Sequence, residues 1–297
     1  MIHHLRSVSG FKVREVCGTL DVSPSGFYAH RHKDQRPRRR EDQVLSQAMH
    51  RAFQESGATY GSPRLVRALQ RQGLNTSKTR VRRLMKSAGL CPRQKRRVRV
   101  KTTRSNPHLP VAPHLLLDAL PCQQPRERFY SDITYIPTQE GWLYLAATLD
   151  GYSRKCAGWS VADNMETPLV LRAARRALDG ATVALHHSDR GSQYASELFR
   201  DFLQAQGIEQ SMSRRGNCYD NAAMESFWAT LKTECFNNFR SGIPATRQDA
   251  RQSIFRYIEL FYNPKRLHSA LGYCSPNEFE SNYFKQKEEH LSLCVSA

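Results

Sequence analysis

The spacing of apolar residues changes along this chain near residue 104. Ahead of that point apolar positions recur every three or four residues, the period of amphipathic helices. Beyond it they first alternate, the period of half-buried strands. Phe11 to Leu20 reads as a short helix with Val13, Val16, Cys17 and Leu20 on one face. Ser23-Pro24 then supplies an N-cap and a proline at the first helical position of a second helix that carries Phe27, Tyr28 and His30. This is helix, turn, helix, with little chain before Phe11, so the unit is expected to be the last part of a larger one. Arg36-Pro37-Arg38-Arg39-Arg40 reads as a basic linker. From Glu41 a helix is predicted through residue 55 with Val44, Ala48, Ala52 and Phe53 inward. Ser62-Pro63 opens the next, with Leu65, Ala68 and Leu69 inward. Ser77 caps a third, with Val81, Leu84 and Met85 inward and Gly89 as its stop.

In the second period, strands are predicted at Phe129 to Ile136, Trp142 to Leu149 and Lys155 to Val161, the last two joined by a hairpin through Asp150-Gly151-Tyr152-Ser153. Thr167-Pro168 starts a helix to about Leu178. Val183 to His187 is a short buried strand. Ser196 caps a helix to Gln206, and Ile208 to Met212 is a fifth strand. The loop Arg214 to Tyr219 leads to a helix over Asn221 to Glu234. The order β-β-β-α-β-α-β-α predicts a mixed five-stranded sheet flanked by helices, an α/β core preceded by small all-α units. The predicted divisions are a partial helix-turn-helix over 1–35, a basic helical domain and linker over 36–104, an α/β core over 120–240 and a C-terminal helical extension over 241–297.

Charge sharpens this division. The net charge is +18, yet residues 1–104 hold 25 Lys+Arg against 6 Asp+Glu, a balance of +19, while residues 105–297 hold 20 against 21, a balance of −1. A one-sided basic block is the footprint of a polyanion binder; its ordinary reading is a solvated charged face. On the helix after Ser77, Lys78, Arg82, Arg83 and Lys86 occupy outer faces, a placement suited to DNA phosphates. The run Arg93 to Lys101, with Arg96 and Arg97, is too charged to pack alone and is expected to order on a phosphate backbone. None of the eight cysteines forms a Cys-x-x-Cys pair, which argues against a structural zinc site or a disulfide framework. No apolar run reaches transmembrane length and no secretory pattern opens the chain, so a soluble intracellular protein is expected.

Three carboxylates then stand out. Asp132 lies in Ser131-Asp132-Ile133-Thr134, Asp189 in His187-Ser188-Asp189-Arg190-Gly191, and Glu225 in Asn221-Ala222-Ala223-Met224-Glu225-Ser226-Phe227. The predicted elements place them on the first strand, just past the fourth strand and one turn into a helix. Phosphodiester hydrolysis or transfer needs charge stabilisation at both the attacking and the leaving oxygen, which two hard cations supply. Mg²⁺ or Mn²⁺ takes oxygen ligands and needs only a few carboxylates, so three acids converging at one sheet edge would suit two ions. Each acid has an ordinary reading as well. Asp132 could be an exposed strand residue, Asp189 a turn residue, and Glu225 a first-turn acid favoured by the helix dipole. Asp150, Asp163 and Asp220 are rivals from sequence alone.

The longer motifs narrow the choice. They include Tyr60-Gly61-Ser62-Pro63-Arg64, Asp132-Ile133-Thr134-Tyr135-Ile136, Gly141-Trp142-Leu143-Tyr144-Leu145, His187-Ser188-Asp189-Arg190-Gly191-Ser192-Gln193-Tyr194, Asp220 to Phe227, Leu231-Lys232-Thr233-Glu234 and Tyr262 to Tyr273 with Ser275-Pro276. Together they closely resemble the OrfB-type transposases of bacterial insertion sequences, in the DDE integrase-like superfamily with a ribonuclease H-like core. The resemblance implies that Asp132, Asp189 and Glu225 are the catalytic metal-binding triad. It implies a DNA contact for Lys232, seven residues after Glu225 and on the same helix face. Asn221 and Arg190, beside the acids, are expected to position phosphate. One departure is Phe129, where the family usually has tryptophan three residues before the first Asp. The resemblance also implies double-stranded DNA as partner (terminal inverted repeats and target), a homo-oligomer, an upstream-frame product or a fusion with it, and a bacterial, nucleoid-associated location. A hydrolytic nuclease with the same core and a non-enzymatic DNA-binding protein are the competing readings.

Overall fold

The computed structural model describes residues 12–31, 37–92, 111–116, 120–180, 182–214, 221–236, 239 and 242–295. The chain divides into two compact units, Met1–Pro92 and Arg93–Ala297. The first opens with helices α1 (Val13–Thr19) and α2 (Pro24–Arg31), between which Ser23 Oγ accepts from the Gly26 amide at 3.0 Å. Three more helices form a small bundle: α3 (Pro37–Glu55), α4 (Ser62–Arg71) and α5 (Lys78–Ser87). Two expectations are corrected here. Pro37 to Arg40 form the first turn of α3 instead of a linker, because proline at a helix start forfeits no hydrogen bond. The inward stripe of α3 is Leu45, Ala48, Met49, Ala52 and Phe53, and Val44 is 54% exposed. Ala48, Ala52 and Phe53 face inward as predicted, and Leu45 and Met49 take the place given to Val44 because they bury more apolar surface. On α5, Ser77 caps through the Arg80 amide and Gly89 closes the helix with φ +64°. Asp42 of α3 holds Arg80 Nε at 2.7 Å and Arg83 Nη2 at 2.6 Å, which seats α5 on α3.

The second unit is built on one sheet of order β3-β2-β1-β4-β5. Its strands are β1 (Arg128–Thr138), β2 (Gly141–Asp150), β3 (Cys156–Ala162), β4 (Leu185–Ser188) and β5 (Glu209–Met212). The first three strands are antiparallel neighbours. β4 and β5 run parallel to β1, reached by the crossover helices α6 (Thr167–Leu178) and α7 (Glu197–Ala205). This is the mixed sheet that the alternation predicted, with the ribonuclease H-like arrangement implied by the resemblance. Helices cover both faces. Phe129, Ala146, Phe199 and Leu203 belong to the core under α6 and α7. Ile136, Leu145 and Ala147 belong to the core under α8 (Ala222–Glu234) and α9 (Arg247–Tyr257), which a π turn (Ile258–Tyr262) extends. Phe129 is 1% exposed, so the aromatic that replaces tryptophan fills a core slot. α6 lies so close to β3 that a Cβ on Gly158 would strike the backbone of Ala173 and Ala177.

Residues 263–275 wrap the far edge. Asn263 pairs with both the amide and the carbonyl of Cys156, each at 3.0 Å, and Arg176 Nη1 donates to the Trp159 carbonyl. The opposite edge is stitched to residues 111–116 through Met212 N to Pro113 O and Leu115 N to Ser211 Oγ. A last helix, α10 (Pro276–Val295), ends the described chain.

Candidate active site

β1 and β4 are parallel, and Ser131 pairs with Ser188. The next residue on each is therefore an aspartate, Asp132 on β1 and Asp189 at the exit of β4. Asp132 pairs with Ala147 on β2 and shares its side of the sheet, under α8. Its Oδ1 accepts the Ile133 amide at 2.8 Å, and its Oδ2 accepts the indole N–H of Trp228 at 2.9 Å. Asp189 Oδ1 accepts the Gly191 amide at 2.9 Å, which turns the loop after β4. Asp132 is half-buried, so solvent still reaches it, but the protein packed around it desolvates the charge. That burial, with the Asp189 carboxylate next, holds the Asp132 carboxyl well above the usual carboxylate range. The Trp228 and Ile133 donors and the Lys232 ammonium oppose the shift. A half-buried acid pair of this kind attracts either a proton or a cation.

Glu225, Trp228 and Lys232 follow one another along α8 at the spacing of a single helix face. Trp228 touches Asp132, and the charge of Lys232 is felt there. Lys232 is an exposed residue, yet the protein around it lowers its pKa while Asp132 pulls it up. Glu225 stands in the first turn of α8 on an exposed position. The expected convergence of three acids is thus met by two. Among the described residues no three His, Cys, Asp or Glu side chains come together closely enough to hold a metal. Like charges repel, and a third carboxylate at this pair would add to a repulsion already visible in Asp132.

The neighbours are occupied in ways the sequence did not indicate. Asn221 is buried and donates to the Ser131 carbonyl at 3.2 Å, so it braces β1. Arg190 Nε donates to the Ser213 carbonyl at 2.7 Å, tying the β4 exit to the β5 exit. Beneath the acids, Thr148, Ser131 and His186 form a chain of 2.7 and 2.8 Å contacts, and His187 bridges Ser211 and Ser213. Of the rival acids, Asp150 is consumed at a turn by the amides of Arg126 and Ser153 and the Ser153 hydroxyl. Asp163 pairs with Arg251 on the surface. Asp220 lies outside the described residues. Trp228 was missed by the sequence reading, although its place three residues after Glu225 was a signal. On α5, Lys78, Arg82, Arg83 and Lys86 are all exposed, with Arg83 already paired to Asp42. Arg96 and Arg97 lie outside the described residues.

Family models match at three places: an integrase core domain over residues 123–218, a second integrase core domain over 206–276, and an HTH-like domain over 39–98. A 31 kDa protein of insertion element IS600 from Shigella sonnei is 40% identical over 271 residues, covering 90% of this chain and 98% of that protein. The transposase InsF of IS3A from Escherichia coli is 34% identical, over 91% of this chain and 94% of its own. The chain belongs to the insertion-sequence transposases. The transposase of IS904 from Lactococcus lactis is 39% identical, over 81% of this chain and 94% of its own. Among solved structures, the magnesium-bound catalytic core of HTLV-2 integrase superposes with a TM-score of 0.42 at 12% identity, over 53% of this chain and 98% of that one. The integrase core of this transposase contains Asp132 and Asp189, and Glu225 falls in the second match. No described helix of the transposase is long and apolar enough to cross a membrane.

Proposed function

We propose that this transposase cleaves and joins DNA strands at the ends of its own insertion sequence, with Asp132, Asp189 and Glu225 as the acids of the reaction. The observation that carries the reading is the Asp132–Asp189 pair, set side by side by the parallel register of β1 and β4 and bordered by the α8 face of Glu225, Trp228 and Lys232. The donor set is all oxygen and anionic, which fits Mg²⁺ or Mn²⁺. Two such ions, held by Asp132 and Asp189 and completed by Glu225, would neutralise charge on the attacking and leaving oxygens. The chain's own part is orientation. Ile133 N–H and Trp228 fix the Asp132 carboxylate, Gly191 N–H fixes that of Asp189, and Lys232 presents a cation to the DNA near the acids. Water would hydrolyse one phosphodiester to leave a 3′-hydroxyl. That hydroxyl would attack a second phosphodiester, exchanging one P–O bond for another.

The basic unit would hold the terminal inverted repeats through α5, with Lys78, Arg82 and Lys86 on phosphates. The chain would then be organised as proposed from its pattern: end recognition over 1–35 and 36–104, chemistry over 120–240, support over 241–297. Two DNA ends must meet, so a homo-oligomer is expected, with the upstream-frame product as a further partner. The test is cleavage and joining of a labelled duplex carrying the element's end, with Mg²⁺, for the wild type and Glu225→Gln. The variant is expected to bind the duplex but to lose on the order of 10²–10³-fold in joining. Equal joining by the two proteins would remove Glu225 from the site.

A further inference from the structure

We infer that Trp228 is a positioning residue for strand transfer: its indole N–H locks the rotation of the Asp132 carboxylate and ties α8 to β1. The inference rests on the reading of Asp132 as a metal ligand. Indole nitrogen is only a donor and an ionised carboxylate only an acceptor, so the 2.9 Å contact has one possible polarity. The other carboxylate oxygen takes the Ile133 amide at 2.8 Å. Rotation about the Asp132 Cβ–Cγ bond would break both contacts at once, while each oxygen keeps a lone pair for a cation. Trp228 cannot easily swing away. It is 7% exposed and packs on Phe227 with ring centroids 4.9 Å apart, inside the core under α8. Among the described residues it is the one side chain that donates a hydrogen bond to Asp132.

The position on the helix matters as much as the bond. Glu225 lies three residues before Trp228 and Lys232 four after, so the contact with Asp132 sets the rotation of α8 about its axis. At the other end of the same helix, Arg266 grips Glu234 with two bonds of 2.6 and 2.7 Å. α8 is thereby pinned at two points, and the first turn carrying Glu225 is placed by both. A tryptophan that served only to fill the core would need no N–H and no partner on β1.

The decisive variant replaces Trp228 with β-(3-benzothienyl)alanine, which keeps the ring shape and puts sulfur where the N–H was. Trp228→Phe is the second variant and Asp132→Asn the control, all in the full chain. Mn²⁺ binding is measured by calorimetry, and the Mg²⁺ concentration for half-maximal joining is measured on the end duplex. Loss of a group that orients a metal ligand weakens metal binding about 10-fold or more, so both readouts should shift by that factor in both Trp228 variants. Affinity for the duplex should not move. If the sulfur isostere binds Mn²⁺ as the wild type does while Asp132→Asn does not, Trp228 is core filling and the inference fails alone. If Asp132→Asn also binds normally, the metal reading of the site falls and takes the inference with it.

Discussion

His186 is a base kept neutral inside a sheet. Burial, and then the neighbouring His187, push its pKa down to about 3, and its Nε2 is spent on Ser131 Oγ at 2.8 Å. Above about pH 6.5 both the folded and the unfolded chain hold it neutral. As the pH falls below that, the unfolded chain takes up a proton and the folded chain does not until near 3, so stability is lost across this window. The slope from one such group is about 1.4 kcal/mol per pH unit. We expect His186→Gln to unfold at pH 5 with about one proton less taken up, read from melting curves between pH 4 and 8. An unchanged uptake would mean that folded His186 titrates like a free histidine. Gly158 makes a simpler prediction. Its missing Cβ is what lets α6 reach β3, so Gly158→Ala should destabilise by about 3 kcal/mol in a denaturant melt.

α8 is the element on which the site depends, and its far end is held by charge. The Glu234 and Arg266 side chains are only 7% and 4% exposed, and the Tyr257 hydroxyl donates to Glu234 at 2.9 Å. Removing one partner from a buried ion pair strands the other, so Arg266→Met alone should cost about 3–5 kcal/mol. The double change Glu234→Leu with Arg266→Met should recover most of that loss. A single variant as stable as the wild type would show that the pair does not hold the helix. Such pairings mark the boundary of what sequence patterns reveal. Strands and helices around the acids were legible because their signals are local: alternation in β1, an apolar run in β2, Pro168 opening α6 and Ser196 as a cap. Asp132 and Asp189 were legible as candidates from their motifs, whereas the register that sets them side by side is read from the structure. Trp228 to Asp132 spans 96 residues and Glu234 to Arg266 spans 32, and no local period encodes either. Asp150 and Asp132 look alike in sequence. Only the three donors that consume Asp150 separate them.

Across the whole molecule, the proposed function divides attraction for DNA and chemistry on it between different stretches of chain. The charge excess lies in residues 1–104, while the remainder is nearly neutral. Each phosphate contact adds about 0.9 to the slope of log affinity against log salt. Arg82→Ala or Lys86→Ala should therefore each lower that slope by about 0.9, measured on the end duplex between low and moderate salt. Arg83→Ala should lower it by less, because Asp42 already neutralises Arg83. An equal loss at Arg83 would mean that it leaves Asp42 to meet the DNA. Among the described residues, both edges of the sheet have backbone groups already taken. On one side Asn263 takes the Cys156 backbone and Arg176 the Trp159 carbonyl; on the other, Pro113 takes the Met212 amide. Open edges are how sheet proteins recruit further copies of themselves. Edges occupied at these points are poor places to add a strand from another copy. On the function proposed above, bringing copies together would then fall to the DNA ends themselves.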